Sequence, residues 1–498
     1  MRIHAAQVSL TLAALSTSSG VLRDSSPTLR RGSTGANLAI GWCAKPNLKW
    51  WRVTLAQTVD PELWAGRLLL TNSFYVRAAF ALAVTMAVYA QWAAPAGSEV
   101  RPSDLFFPFF CYPPGWTMSI FLMIVLPARD RRNLIGLIAV SAGIGASASL
   151  GVEGVTLHAA RDAAVMAGLA PYAFTLTHIA LNSGSERSRW IDLLAVASLV
   201  HVTSLCIPYF RDNTAIWLPR ILDADIARLD EAFGAQPSAL MAIAFKKLPV
   251  LGTASLIVYT FVQLPITIVA ACQWKRKAAD DFSVLPAFMI GSIIGFTCYW
   301  LAPAIGPKVY FSADFPLMHA DAAILNRLPL TDFNPHHPRN DMPSMHFSWA
   351  VMTFLFTRGF PIVGRVYAAL FVFFTFCATI GLGEHYLADL IVGMSLVLMV
   401  RGLTAARLSW RDPDRLRAAL IGFAMLSAWI AAIHSETPIA TPLTVLFSLA
   451  TVGAAIVFER AVARAEGQTG LERAQAAAAP RIDGSRFEIG AAPTAGML

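Results

Sequence analysis

Arg339-Asn340-Asp341-Met342-Pro343-Ser344-Met345-His346 and, two apolar runs later, Gly383-Glu384-His385-Tyr386-Leu387-Ala388-Asp389 bracket the stretch around which the chain is organised. Each segment carries a histidine at the mouth of a hydrophobic run. Residues four apart share a helix face, so Asp389 is expected one turn below His385, accepting a hydrogen bond from one ring nitrogen. That bond fixes the tautomer and leaves the other nitrogen to attack. Pro343 suits a first helical turn, and Ser344 with the N–H groups beside it makes the following helix start an anion site. The anion expected there is a phosphate.

Pro343-Ser344-Met345-His346 resembles the second signature, and His385-x-x-x-Asp389 followed by Gly393 the third, of the type 2 phosphatidic acid phosphatase (PAP2) superfamily. Within it the chain is most similar to the inositolphosphotransferase branch, which contains inositol phosphorylceramide synthases. The Leu229-Asp230-x-x-Phe233-Gly234-x-x-Pro237 arrangement resembles that branch as well. The likeness covers roughly residues 215 to 405 and implies a helical membrane core with lipid phosphotransferase or phosphatase activity. Phosphoryl transfer needs a nucleophile, an acid for the leaving oxygen, and donors around the phosphate oxygens. His385 is expected as nucleophile, forming a phosphohistidine, Asp389 as its orienting carboxylate, and His346 as acid and then base. Ser344, Lys308 and Arg339 would hold the phosphate, and no cofactor or metal is required. The superfamily's first signature is Lys, six residues, then Arg-Pro; Lys308 and Pro316 match, but Phe315 stands at the Arg position. The Ser-Arg pair of the third signature falls at Ala378 and Thr379. Two phosphate-gripping arginines are therefore missing, which leaves Lys308 and Arg339 as the cations.

Composition sets the class. Of 498 residues 56% are hydrophobic and 14% charged, where soluble proteins carry about a quarter. Mean hydropathy is positive. This is an all-α, polytopic integral membrane protein, and its net charge of +8 is assigned to basic cytoplasmic loops, with no nucleic acid partner expected. Six scattered cysteines without metal-like spacing read as small core hydrophobes.

Taken in order, the chain divides into a disordered cytoplasmic tail (1–65), N-terminal transmembrane helices (70–209), the catalytic core (210–405), C-terminal transmembrane helices (416–458) and a second disordered cytoplasmic tail (459–498). With about 20 apolar residues per crossing, spans are expected near 74–94, 105–127, 134–152, 163–182, 190–209, 250–272, 284–305, 344–358, 362–381, 385–403, 416–434 and 439–458, about twelve in all. Arg129, Arg187, Lys275, Arg358, Arg401 and Arg460 fall in or beside every second connection, which places those connections and both termini in the cytoplasm. His346 and His385 then share the extracytoplasmic face. Residues 222–234 form an amphipathic helix with acidic residues on one face, ending at Gly234, of a kind that lies in the membrane interface or simply solvates its charge. His158, His178, His201 and His434 read as packed, hydrogen-bonded side chains. His336-His337 beside Asp332 make a poor chelate with no third ligand.

The partners expected are a phospholipid or lipid phosphate substrate and the membrane. Open alternatives are a plain phosphatidic acid or polyprenyl phosphate phosphatase, or a lipid transporter that kept the fold and lost the chemistry. Water, inositol or another alcohol as acceptor is not decided by sequence.

Overall fold

The computed structural model describes residues 113–153, 157–218, 220–276, 284–311, 315, 337–405, 407–435 and 441–478. The N-terminal tail, the span at 74–94 and most of the connection before Arg339, with Asp332 and His336, lie outside the described residues. All regular structure among the described residues is helical. The N-terminal group is α1 (Pro113–Val125), α2 (Ala128–Glu153), α3 (Leu157–Leu181) and α4 (Gly184–Trp217). There follow α5 (Asp223–Glu231), α6 (Pro237–Lys247), α7 (Pro249–Thr260), α8 (Gln263–Lys275), α9 (Val284–Leu301) and the single turn α10 (Pro307–Tyr310). The chain then continues through α11 (Met345–Leu355), α12 (Ile362–Gly381), α13 (Leu387–Leu403), α14 (Pro413–Ile433) and α15 (Thr441–Ala478).

Helix α13, Leu-Ala-Asp-Leu-Ile-Val-Gly-Met-Ser-Leu-Val-Leu-Met-Val-Arg-Gly-Leu, is apolar almost all round, which is the pattern of a helix buried on every side. It is central, packed by α5, α9, α11, α14 and α15. Arg415 closes its far end by donating to the carbonyls of Gly402 (3.1 Å), Leu403 (3.0 Å) and Leu408 (2.6 Å).

Five helices are long and apolar enough to cross a membrane, at 159–181, 284–301, 362–381, 413–433 and 441–468, and a sixth if α6 and α7 count as one broken span. The expectation of about twelve is not met among the described residues, for physical reasons. Helix α11 has 11 residues, about 16 Å at 1.5 Å per residue against a hydrocarbon core of about 30 Å. The apolar run expected as one span at 250–272 is two helices, α7 and α8, interrupted at Phe261 and Val262. Helices α6 and α7 meet at 117°. The bend sits at Leu248, whose φ of −127° and ψ of 73° are outside the helical region, as steric conflict with the ring of Pro249 demands. Helix α15 continues past residue 458 to Ala478, so the first part of the expected disordered tail is helical.

Outward faces agree with a membrane setting. Ile362, Val363, Val366, Leu370 and Phe373 on α12, and Leu416, Leu420 and Phe423 on α14, are exposed. Contiguous apolar surface of this kind is costly in water and at no disadvantage in hydrocarbon, as in an integral membrane protein.

Candidate active site

Helix α5 organises the site. Asp223 and Asp230 are seven residues apart and so share one face of α5, and both are completely buried. The Asp230 carboxylate accepts the N–H groups of Leu387 and Ala388, both at 2.8 Å. These are first-turn donors of α13 that have no partner within their own helix, and a carboxylate there also meets the positive end of the helix dipole. Asp223 accepts from Ile305 N–H (3.0 Å), Gly306 N–H (2.9 Å) and the Tyr386 hydroxyl (3.2 Å). Burial pushes both carboxyls up to about 7, with their hydrogen bonds pulling the other way. Asp223 and Asp230 therefore point into the protein and tie together the segments after α9 and before α13, while Asp225 pairs with Arg228 at the surface at 2.8 Å.

His385 stands just ahead of α13, not on it; its backbone N–H donates to the Thr379 carbonyl at 3.0 Å. Its Nδ1 lies 3.5 Å from Asp389 Oδ2, both side chains buried. That separation is longer than a formed N–H···O bond. As the third residue of α13, Asp389 also reaches back to accept the N–H of Tyr386 at 2.8 Å, the carboxylate half of a capping box. The four-residue spacing thus brings the two side chains together without the expected hydrogen bond, and Asp389 serves as a helix cap in addition.

The head of α11 is fastened to the same place. Ser344 N–H donates to the Asp389 carbonyl at 3.1 Å, so the helices that begin near His346 and His385 start side by side. Gly393 permits this approach, since a Cβ there would sit 2.8 Å from Ser348 Oγ. The amide of Ser344 is consequently engaged, while its completely buried Oγ has no hydrogen-bond partner among the described residues. The His346 ring is half-buried, stacked on Tyr259 of α7 at 4.1 Å with Trp349 edge-on at 5.7 Å.

Lys308 reaches the site through its backbone, whose N–H donates to Gly383 at 2.9 Å. Gly383 has φ +71°, and a Cβ there would meet Phe315 at 2.6 Å and Lys308 Cβ at 2.7 Å, so this turn before His385 requires glycine twice over. Arg339 is 3% exposed; its backbone N–H donates to Thr214 Oγ1 at 2.8 Å and its guanidinium to the His337 carbonyl. Burial lowers its pKa while the Asp223 charge raises it.

Nothing in the local sequence pattern gives Asp341 a role. Asp341 is 2% exposed, and its Oδ2 has no hydrogen-bond partner among the described residues. Burial drives its pKa well up, reinforced by the charges of Asp389, Asp223 and Glu384. Asp341, His385 and Asp389 each offer a ligand atom within 4.8 Å of the others, so these three are a group able to hold a metal ion among the described residues.

Of the other histidines, His178 stacks on Trp190 at 4.1 Å and His201 bonds the Tyr172 hydroxyl, as expected of packed side chains, while His434 is exposed and its Nε2 meets the Leu301 carbonyl at 2.6 Å. The side chain of His158 lies outside the described residues. Cys298 and Cys377 are buried free thiols.

Residues 224–403 match the family model described as PAP2 superfamily. No curated protein matches the chain, and no solved structure does. The matched region runs from α5 through α13 and contains both histidines, Asp341 and Asp389. Members of that superfamily are usually phosphatases or phosphotransferases. Together with the apolar helices, the match describes a membrane protein with a phosphatase-like helical core.

Proposed function

We propose that the protein is a membrane lipid phosphotransferase working through a phosphohistidine, of the inositolphosphotransferase type. The observation that carries this reading is the buried His385–Asp389 pair at 3.5 Å, fixed to the head of α11 by the Ser344–Asp389 bond. In the first step a ring nitrogen of His385 attacks phosphorus, the bond from phosphorus to the leaving oxygen breaks, and His346 donates a proton to that oxygen. Asp389 stabilises the positive charge that develops on the His385 ring. In the second step His346 takes a proton from the incoming hydroxyl, the new P–O bond forms and the P–N bond breaks. Each histidine returns to its starting state, and no metal or cofactor enters a step. Lys308 and Arg339 balance the phosphate charge, while Asp223 and Asp230 hold the backbone that presents His385.

The reacting groups lie at one end of the bundle. Arg276, Arg358, Arg401 and Arg460 collect toward the other, where Arg276 donates to the Gly359 carbonyl at 2.7 Å and Glu459 pairs with both Arg358 and Arg401. By the positive-inside rule this supports a cytoplasmic arginine end and an extracytoplasmic site.

The test is turnover of purified protein on a panel of labelled phosphodiester and phosphomonoester lipids, with and without a lipid alcohol, in the presence of chelator. The expected result is a transfer product from a diester such as phosphatidylinositol, and an acid-labile, base-stable phosphoenzyme that is absent in His385→Ala. Inorganic phosphate release from monoesters with no transfer product would instead identify a plain lipid phosphatase. Complete inactivation by chelator would overturn the metal-free mechanism and direct attention to Asp341, His385 and Asp389 as ligands.

A further inference from the structure

At the end of the bundle remote from His385, a cavity of about 600 Å³ is lined by Arg358, Val457, Arg460, Ala463 and Arg464. Its charge is not neutralised from within. Arg358 is taken by Glu459, a carboxylate that also serves Arg401. Among the described residues no carboxylate lies within salt-bridge distance of Arg460 or Arg464, and both are exposed. Position matters as much as charge. From Thr441 to Arg460 is about twenty residues, or about 30 Å of helix, so a span starting at Thr441 brings Arg460 and Arg464 to the headgroup level of the opposite leaflet.

The surface leading to the cavity is apolar. Leu446, Leu449, Gly453, Val457, Arg460 and Arg464 succeed one another at intervals of three or four residues and therefore form one stripe along α15. Leu446, Leu449 and Val457 are 63%, 65% and 58% exposed, and nothing lies within 4 Å of where a Gly453 side chain would begin. A strip of exposed hydrocarbon with a dent in it, ending at a cavity with two guanidiniums that lack carboxylate partners, has the polarity of a single phospholipid molecule. Guanidinium forks grip phosphate oxygens in pairs, and basic pockets between helices at this depth suit anionic headgroups.

We propose that this cavity binds one phospholipid with a net negative headgroup, its phosphate held by Arg460 and Arg464 with Arg358 at the rim and an acyl chain along Leu446, Leu449 and Val457. A zwitterionic headgroup brings its own cation into the arginine cluster and is disfavoured. The site is remote from His385 and does not depend on the chemistry proposed there.

Thermal melting of the purified protein in detergent, titrated with short-chain phosphatidylglycerol, phosphatidylcholine or inorganic phosphate, tests this. Phosphatidylglycerol should raise the melting temperature saturably, and phosphatidylcholine and phosphate should not. Each arginine near an anionic headgroup contributes about 1 kcal/mol, so R460Q/R464Q should need roughly 30-fold more phosphatidylglycerol for the same shift. The variant's melting temperature without lipid reports its folding, and the charge-retaining R460K/R464K should fall in between. An equal response to phosphatidylcholine, an unchanged midpoint in R460Q/R464Q, or a full response to inorganic phosphate would each overturn the proposal.

Discussion

Replacing Asp230 by Asn changes a buried charge without changing its shape, and the consequence can be worked out with its sign. Burial raises the Asp230 carboxyl from 3.8 to about 7 even though it accepts two N–H groups from the head of α13. Between those two values the folded protein keeps a proton that the unfolded chain has released, so stability falls as pH rises through this window. From about pH 5.5 to pH 7 the loss is about 2 kcal/mol at roughly 1.4 kcal/mol per pH unit, and above pH 7 it levels off. Asn has no proton to lose and removes this slope. It also puts an NH2 donor where the acid, protonated or not, has its second oxygen, which leaves one buried N–H short at a cost of about 1–3 kcal/mol. Asp230→Asn should therefore be less stable than wild type at pH 5.5 and recover about 2 kcal/mol relative to it by pH 8. Reversible unfolding in mixed micelles at the two pH values measures both numbers. Asp223, also near 7, contributes a similar slope in both proteins and cancels in the comparison. Parallel pH dependences in wild type and variant would refute the assignment of Asp230 as a buried, proton-holding cap.

Gly393→Val places branched carbons where a Cβ alone would already be 2.8 Å from Ser348 Oγ. Overpacking of that kind costs about 1–3 kcal/mol, and because it pries the heads of α11 and α13 apart, turnover should fall more than melting temperature. Glu459→Gln removes the shared partner of Arg401, which is 5% exposed, and of Arg358. Breaking a buried pair from one side costs about 3–5 kcal/mol, and Glu466, the second partner of Arg401, should hold the loss to the lower end, as unfolding measurements would show.

The two histidine motifs were legible because their logic is local. A four-residue interval puts Asp389 beside His385 whether the histidine stands on the helix or just before it, and the Gly393 that completes the motif is where the structure brings Ser348 close. What stayed hidden was long-range. Asp223 and Asp230 look like the charged face of a surface helix, since hydropathy cannot distinguish a carboxylate facing water from one facing the unpaired N–H groups of another helix. Their interval of seven was visible, but the partners lie 82 and 157 residues away. The span count failed for a related reason. Helices α8 and α11 are hydrophobic because most of each is buried in protein, and burial reads the same as lipid exposure in composition alone, whereas α7, with Val250 and Ile257 exposed, is largely uncovered. The bend at Leu248–Pro249 did have a local signal in the proline.

Charge around the reacting centre bears on which phosphate it accepts. Asp223, Asp230, Asp341 and Asp389 are all buried near the head of α13, and the cations at hand are Lys308 and Arg339, where two arginines of the resembled signatures have become Phe315 and Thr379. A monoester carries nearly two negative charges and a diester one. Each unit of charge brought in beside buried carboxylates is repelled in a medium that screens poorly. The same surroundings explain why Asp341 is driven toward its neutral form, in which it contributes no repulsion. With one carboxyl neutral and two cations present, the site tolerates a single negative charge far better than two. Under the proposed phosphotransferase function that favours a phosphodiester donor, and the preference should then sharpen as rising pH ionises the buried acids. A ratio of diester to monoester turnover that is flat with pH would show that these carboxylates do not act on the substrate.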